Sequence, residues 1–321
     1  MSHKILLGLD EAGYGPNIGP LVIGASVWQV ANEYDAQRLG FDLMPVLLEK
    51  LWKAGDKHVP LGDSKNLFSP NAGIRSLETG VWSLLAVHGV GALKLAEMID
   101  QLCQPGTAER LAVHPWYESV GQPGMIEQTL PQIRELKTLA REQFERVGVK
   151  FLGVYSRIIP ELEFNQQVTA SGSKGQLLSV QTLSLAAALM KQFDCPIEVF
   201  CDRQGGRKKY LPLLLEIMSP EWFHIIDETP ARSSYRSLST PHKTIHFTVG
   251  GDAFPPVGLA SMTAKYLRER LMLLINIFWQ KHLASLRPTA GYPQDAKRFR
   301  AEIEPIADQL GFQPNSWWRI C

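Results

Sequence analysis

Three observations predict an α/β layered fold with a mixed sheet. Short apolar runs alternate with segments of helical periodicity along the chain. The first two runs are separated only by a glycine- and proline-rich turn, as in an antiparallel hairpin. Three runs end in a carboxylate, at Asp10, Asp202 and Asp252, and clefts of open α/β sheets lie at the carboxyl ends of their strands.

The elements follow in order. Ile5 to Leu9 is short and uninterrupted, as expected of a strand buried on both faces. It breaks into Asp10-Glu11-Ala12-Gly13-Tyr14-Gly15-Pro16, with Gly19-Pro20 close behind. Ionised carboxylates are costly to bury unless they are paired or bind a metal, which places Asp10 and Glu11 at the mouth of a cleft. Adjacent strand residues face opposite ways, so Glu11 must reach the site of Asp10 by its longer arm or through a bend at Gly13. Gly13 and Gly15 lack a Cβ and let a ligand approach the backbone. A capped turn with two solvated acids is the alternative for this stretch alone.

Pro20 to Val30 reads as the second strand and Glu33 to Lys57, with Leu39, Leu43, Leu47 and Leu51 at helical spacing, as a helix. The polar segment Asp63-Ser64-Lys65 precedes another helix, with Ser69 as N-cap and Pro70 in its first turn. Trp82 to Val90, Leu93 to Leu102 and Met125 to Val147 are expected to be helical, with Cys103 to Gly124 a surface excursion between the last two. Lys150 to Ile159 reads as a strand, Gln176 to Phe193 as a helix and Pro196 to Asp202 as a strand. Trp222 to Ile226 reads as a strand, Ser233 to Ser239 as a turn, Thr244 to Val249 as a strand, and Pro256 to His282 as a long helix.

Composition sets bounds. The chain has 321 residues, 45% hydrophobic and 20% charged, with a formal net charge of +1. No overall basic field marks a nucleic-acid binder, so such a partner must be held by a local patch or through metal ions. Cys103, Cys195, Cys201 and Cys321 include no CxxC pair, which argues against a zinc site or a disulfide scaffold. With the first strand starting at once and no apolar run of membrane-spanning length, a cytoplasmic protein is expected.

Four acids, Asp10, Glu11, Asp202 and Asp252, converging at strand ends would repel one another unless cations neutralised them. Oxygen ligands with few histidines nearby favour Mg2+ or Mn2+. Two such ions roughly 3.5–4 Å apart are a standard device for in-line phosphodiester cleavage.

These motifs resemble the type 2 ribonucleases H. The opening Asp10-Glu11-Ala12-Gly13-x-Gly15-Pro16…Gly19-Pro20 is similar to that family's first block and Asp63-Ser64-Lys65 to its second. Gly153-Val154-x-Ser156 with Glu161 and Asn165 resembles a third. Asp202 follows, then Gly251-Asp252-Ala253 with Ala260-Ser261-x-x-Ala264-Lys265-x-x-Arg268, and Gly291-Tyr292 with Leu310-Gly311 and Arg319. The blocks keep family order from residue 5 to residue 319.

The resemblance implies a ribonuclease H-like mixed sheet flanked by helices, in one catalytic domain over residues 1–321. Insertions would lie at about 31–60, 90–146 and 170–175, and a C-terminal helical part at about 254–321. It implies a divalent-metal endoribonuclease that cuts the RNA strand of RNA·DNA hybrids, or ribonucleotides in duplex DNA, leaving 3′-hydroxyl and 5′-phosphate ends. Asp10, Glu11, Asp202 and Asp252 would be the metal ligands. The backbone of Gly13 to Gly15, with Tyr14 between, would read the 2′-hydroxyl. Ser64 would join the substrate site, Lys65 and Lys265 would contact phosphates, and Tyr292 would stack on a sugar. Tyr14 stands where the family has an arginine, and Arg203-Gln204-Gly205-Gly206-Arg207-Lys208-Lys209 replaces the usual glycine after Asp202.

Plainer readings of the same residues remain. Asp63-Ser64-Lys65 can also be read as a polar turn, Lys265 and Arg268 as a solvated helix face, and Tyr292 as a buried, hydroxyl-bonded tyrosine. Ser171 to Gly175 reads as a flexible loop, His242 and His246 as surface residues, and Trp317 and Trp318 as packing of the tail. Other structured nucleic acids as substrate, or binding without catalysis, are the competing functions.

Overall fold

The computed structural model describes residues 2–68, 73–91, 94–121 and 130–320. The strands are β1 (His3–Ala12), β2 (Leu21–Ala31), β3 (Leu47–Leu48), β4 (Val59–Pro60), β5 (Lys150–Ile159), β6 (Ile197–Asp202), β7 (Phe223–Glu228), β8 (Arg232–Ser237) and β9 (Lys243–Thr248). The α-helices are α1 (Ala36–Leu43), α2 (Arg75–Val87), α3 (Leu95–Leu102), α4 (Thr107–Ala112), α5 (Leu130–Val147), α6 (Glu161–Ser171), α7 (Lys174–Met190), α8 (Leu211–Ile217), α9 (Pro255–His282) and α10 (Pro293–Gln309).

Seven strands form one sheet in the order β5-β2-β1-β6-β9-β8-β7. β2 runs antiparallel to both β1 and β5, while β6 and β9 run parallel to β1. The first five strands thus stand in the order 3-2-1-4-5 with only the second reversed, which is the ribonuclease H-like sheet; β8 and β7 extend it as an antiparallel pair. β3 and β4 make a separate parallel pair.

The alternation of β1 divides the core. Leu6 and Ala12 pack into the cluster containing α9, α2, α3 and α5, whereas Ile5, Leu7 and Leu9 pack with α7 and α8 on the other face. On the α9 face, glycines replace side chains. A Cβ at Gly8 would collide with the Pro256 backbone, and one at Gly24 with the Ala260 carbonyl. The helix axis therefore lies unusually close to β1 and β2, and Ser26 Oγ donates to the Pro256 carbonyl at 2.6 Å.

Several expectations need correction. The helix expected over Glu33 to Lys57 ends at Leu43, because Pro45 cannot continue it, and Leu47–Leu48 instead pairs with Val59–Pro60. Cys103 to Gly124 is not a surface excursion over its described part. It forms α4 and a 3-10 turn that bury Leu111, Trp116, Tyr117 and Val120, since these large apolar groups gain more inside than in water. The serine-rich stretch is strand β8 rather than a turn, and its buried hydroxyls find partners: Ser233 donates to the Lys208 carbonyl and Ser237 accepts from Lys243 N. Ser171 to Gly175 is a tight helix junction, with left-handed Gly172 ending α6 and the Ser173 hydroxyl accepting from Gln176 N to cap α7. The expected cap at Ser69-Pro70, and the expected helix starts at Leu93 and Met125, lie outside the described residues.

Candidate active site

The register brings the acids together. Leu9 pairs with Cys201, so Asp10 and Asp202 follow at one level on adjacent strands. Asp202 pairs with Thr248 on β9, after which left-handed Gly250 turns the chain into the 3-10 turn Gly251–Ala253 that carries Asp252. Gly251 N donates to Asp202 Oδ1 at 3.0 Å, tying this turn to β6. Glu11 N donates to Asp10 Oδ1 at 2.8 Å.

Asp10 faces α9, where Ser261 reaches its carboxylate, and Ser261 Oγ in turn meets Ser64 Oγ at 3.0 Å. That second contact draws Asp63-Ser64-Lys65 onto the acids, so the segment is more than a polar turn. Asp63 Oδ1 accepts from Lys65 N at 2.9 Å and fixes the bend.

Electrostatics bind the group further. Burial pushes the Asp10 carboxyl up to about 7, with the charges of Asp202 and Asp252 adding to it and hydrogen bonds from Ser261 and Glu11 N opposing. Burial, then the Asp10 and Asp202 charges, hold Glu11 well above the usual carboxylate range, while Lys65 pulls it down. Asp252 is raised by burial, Asp63 and Asp202. For Lys65, burial works against its charge, but Asp63, Asp252, Asp10 and Asp202 together raise it. Lys65 is thus a cation set among the acids.

Among the described residues, no three His, Cys, Asp or Glu side chains are drawn tightly enough to form a preassembled metal cage. The donor set nevertheless fits hard divalent cations, because hard carboxylate oxygens suit Mg2+ and Mn2+. Mutual repulsion keeps such carboxylates apart until their charge is offset.

The Gly13–Gly19 loop is braced by residues that the sequence marked only in outline. Arg319, 1% exposed, donates from Nη1 to the Gly13 carbonyl at 2.6 Å and the Gly19 carbonyl at 3.2 Å, and from Nη2 to the Tyr14 carbonyl at 3.3 Å. Its own N–H donates to the Asn17 carbonyl at 2.8 Å. Arg268 is equally buried and donates to the Ile18 and Ala290 carbonyls, which rules out a solvated helix face for that residue. Glu161 accepts from Gly19 N at 3.1 Å and from the Tyr117 hydroxyl, and burial pushes its carboxyl up to about 7. Asn165 donates to the Asn315 and Trp318 carbonyls at 2.8 Å each, pinning the C-terminal segment beside the loop.

The remaining residues divide. Tyr292 is 49% exposed, not buried, and sits beside the loop because the Gly291 carbonyl accepts from Asn17 N at 2.8 Å. Lys265 is paired with Glu269 at 2.8 Å and lies over the Phe68 ring, so it is not brought to the acids as a free charge. Trp317 packs in the core as expected. His246 is half-buried against Phe200 rather than a surface residue. The roles of Arg319 and Tyr117 were missed because a lone arginine or tyrosine carries no spacing signal. For Arg319, its place in the C-terminal block with Gly291-Tyr292 and Leu310-Gly311 was the hint.

No protein-family model and no curated protein matches the chain. Among solved structures it is similar to ribonuclease H2 from Pyrococcus horikoshii OT3, with a TM-score of 0.43 and 16% identity over 98% of this chain and 92% of that chain. It is also similar to ribonuclease HII from Archaeoglobus fulgidus, solved in complex with PCNA, with a TM-score of 0.41 and 15% identity over 98% and 94%. A third is Bst ribonuclease HIII in complex with Mn2+, with a TM-score of 0.41 and 11% identity over 98% of this chain and 65% of that chain. The strand order and the placement of the acid-bearing strand ends give the chain a ribonuclease H-like fold.

Proposed function

We propose that the chain is a divalent-metal-dependent endoribonuclease. It cleaves the RNA strand of RNA·DNA hybrids, or ribonucleotides embedded in duplex DNA, and leaves 3′-hydroxyl and 5′-phosphate ends. One observation carries this reading. Carboxylates from β1, from β6 and from the turn after β9 stand at neighbouring strand ends, and Lys65 feels the charge of Asp10, Asp202 and Asp252. Binding alone has no use for acids that repel each other and the substrate.

Asp10, Glu11, Asp202 and Asp252 would hold Mg2+ or Mn2+. The bound ions supply Lewis-acid activation of water and offset charge at the leaving oxygen. Ser261 and Ser64 orient the Asp10 carboxylate, and Lys65 limits the repulsion among the acids. The backbone of Gly13 to Gly15, held rigid by Arg319, would present the groups that read the 2′-hydroxyl. Exposed Tyr292 offers a ring for a sugar, and Lys265 could reach a phosphate only by leaving Glu269. The substrate class fits a cytoplasmic protein, and among the described residues no helix is long and apolar enough to cross a membrane.

The test is cleavage of three end-labelled duplexes in Mg2+ and in Mn2+: an RNA·DNA hybrid, DNA with one ribonucleotide, and plain DNA. Cutting confined to ribonucleotide positions and lost in Asp10→Asn is expected. No ribonucleotide-dependent cut in either metal would refute the reading, and cutting of plain DNA would redirect it to another structured nucleic acid.

A further inference from the structure

The α7 face of β1 presents a second group of side chains, beside Glu11. Glu11 points to this face, and Tyr14 follows three residues later on the partly buried rim. Lys174 Nζ lies 5.0 Å from the centre of the Tyr14 ring, within cation–π range. The Tyr14 hydroxyl rests over two glycine backbones, at Gly175 in the first turn of α7 and at left-handed Gly205 in the loop after β6. Arg207, from that same loop, donates to Gln176 Oε1 at 3.2 Å and acts electrostatically on the Tyr14 hydroxyl.

Neither of these two cations is committed to an acid among the described residues. Lys4, Lys243, Lys265, Arg157 and Arg300 are each paired with a carboxylate. Among the described residues neither Lys174 nor Arg207 has a carboxylate partner, although both stand beside an acidic site. Lys65, on the α9 side, is engaged by the acids themselves. A polyanion laid across those carboxylates needs positive charge on its far side, and the pair held around Tyr14 supplies it.

We infer that Tyr14, Lys174 and Arg207 form a clamp for one backbone phosphodiester of the bound nucleic acid, next to the carboxylates on the α7 face. Lys174 and Arg207 neutralise the phosphate, and the Tyr14 hydroxyl donates to one of its oxygens. The tyrosine between Gly13 and Gly15 is thus part of a three-residue phosphate site. The inference rests on the nuclease reading above.

The experiment measures binding of a fluorescein-labelled RNA·DNA hybrid by anisotropy in Ca2+, across a salt series. Each phosphate contact contributes about −0.9 to the slope of log K against log salt. Lys174→Gln and Arg207→Gln are each expected to flatten the slope, and the double variant to flatten it by about one contact in all. Both should raise KM for cleavage several-fold with little change in kcat. Arg207→Lys should restore the slope, and Tyr14→Phe should weaken binding without changing it. Lys191→Gln serves as charge control, at the far end of the same helix and about 25 Å away. Slopes for Lys174→Gln and Arg207→Gln equal to that of Lys191→Gln would overturn the clamp and leave the nuclease reading intact. A wild-type protein that neither binds the hybrid at low salt nor cuts it would overturn both.

Discussion

Replacing Arg319 with alanine removes a guanidinium that serves three carbonyls of the Gly13–Gly19 loop, at 2.6, 3.2 and 3.3 Å. Hydrogen bonds to charged groups contribute about 1.5–3 kcal/mol each, but three from one group do not add in full. The carbonyls left behind lose a buried donor, and Glu161 loses a favourable charge. Breaking a buried charged network of this kind costs about 3–5 kcal/mol. In a chain of this length that corresponds to a fall in Tm of roughly 4–8 °C. The loop also loses its fixed position beside Asp10, and displacement of about 1 Å at a reacting centre can cost on the order of a hundredfold in rate. Differential scanning calorimetry and hybrid cleavage measure the two effects. Arg319→Lys keeps the charge but not the fork, so it should recover less than half of the lost Tm. An Arg319→Ala protein with wild-type Tm and wild-type kcat/KM would show that the guanidinium does not brace the loop.

Three further outcomes are expected. Gly24→Ala places a methyl against the Ala260 carbonyl, 3.0 Å from its carbon, so α9 must retreat. Overpacking should cost about 1–3 kcal/mol in denaturant unfolding and reduce cleavage by more than stability alone explains; unchanged turnover would refute close packing as the site's spacer. Glu161, raised from 4.5 to about 7, keeps its proton in the folded state over a range where the unfolded chain has lost it. Its stabilising contribution is therefore complete below pH 4.5 and falls by about 3 kcal/mol as pH rises through 7. Glu161→Gln should flatten the stability–pH curve between pH 5 and 8, and curves parallel to wild type would contradict this. Asp10, raised to about 7, must lose its proton when a divalent cation binds. Mn2+ affinity by calorimetry should then rise up to about tenfold from pH 6 to 7 and be largely lost in Asp10→Asn; a pH-independent affinity would separate Asp10 from the metal site.

The sheet and its acids were legible because both rest on local pattern. Apolar runs ending in Asp10 and Asp202 report burial and its end in consecutive residues, and β1, β6 and β9 form close to where those runs lie. Asp63-Ser64-Lys65 stood out by its order among the blocks, whereas its Ser64–Ser261 contact has no local signal. Illegible features depend on distant partners. Nothing near Arg319 in sequence announces that its guanidinium serves residues 13 to 19. Serines in β8 looked like a turn because their hydroxyls are satisfied by Lys208 and Lys243, which no local window contains. Leucine spacing favoured a long helix after Glu33, but one proline outweighed it at Pro45. Lys265 matched a motif position, yet the structure shows it held by Glu269 one turn away.

The glycine face of β1 and β2 has a consequence for reach. With α9 seated against Gly8 and Gly24, helix and sheet lie close on that side, and the acids that β6 and the turn after β9 bring to Asp10 are aspartates. An aspartate has one fewer rotatable bond than a glutamate, so it gives up less rotamer freedom when fixed in place. Glu11, whose strand position turns it to the α7 face, is the glutamate of the four. The division of labour between short and long arms is thus set by where the sheet carries no side chains. Lengthening Asp10 by one methylene would then be no conservative change, because it would carry the carboxylate past the Ser261 hydroxyl that reaches it.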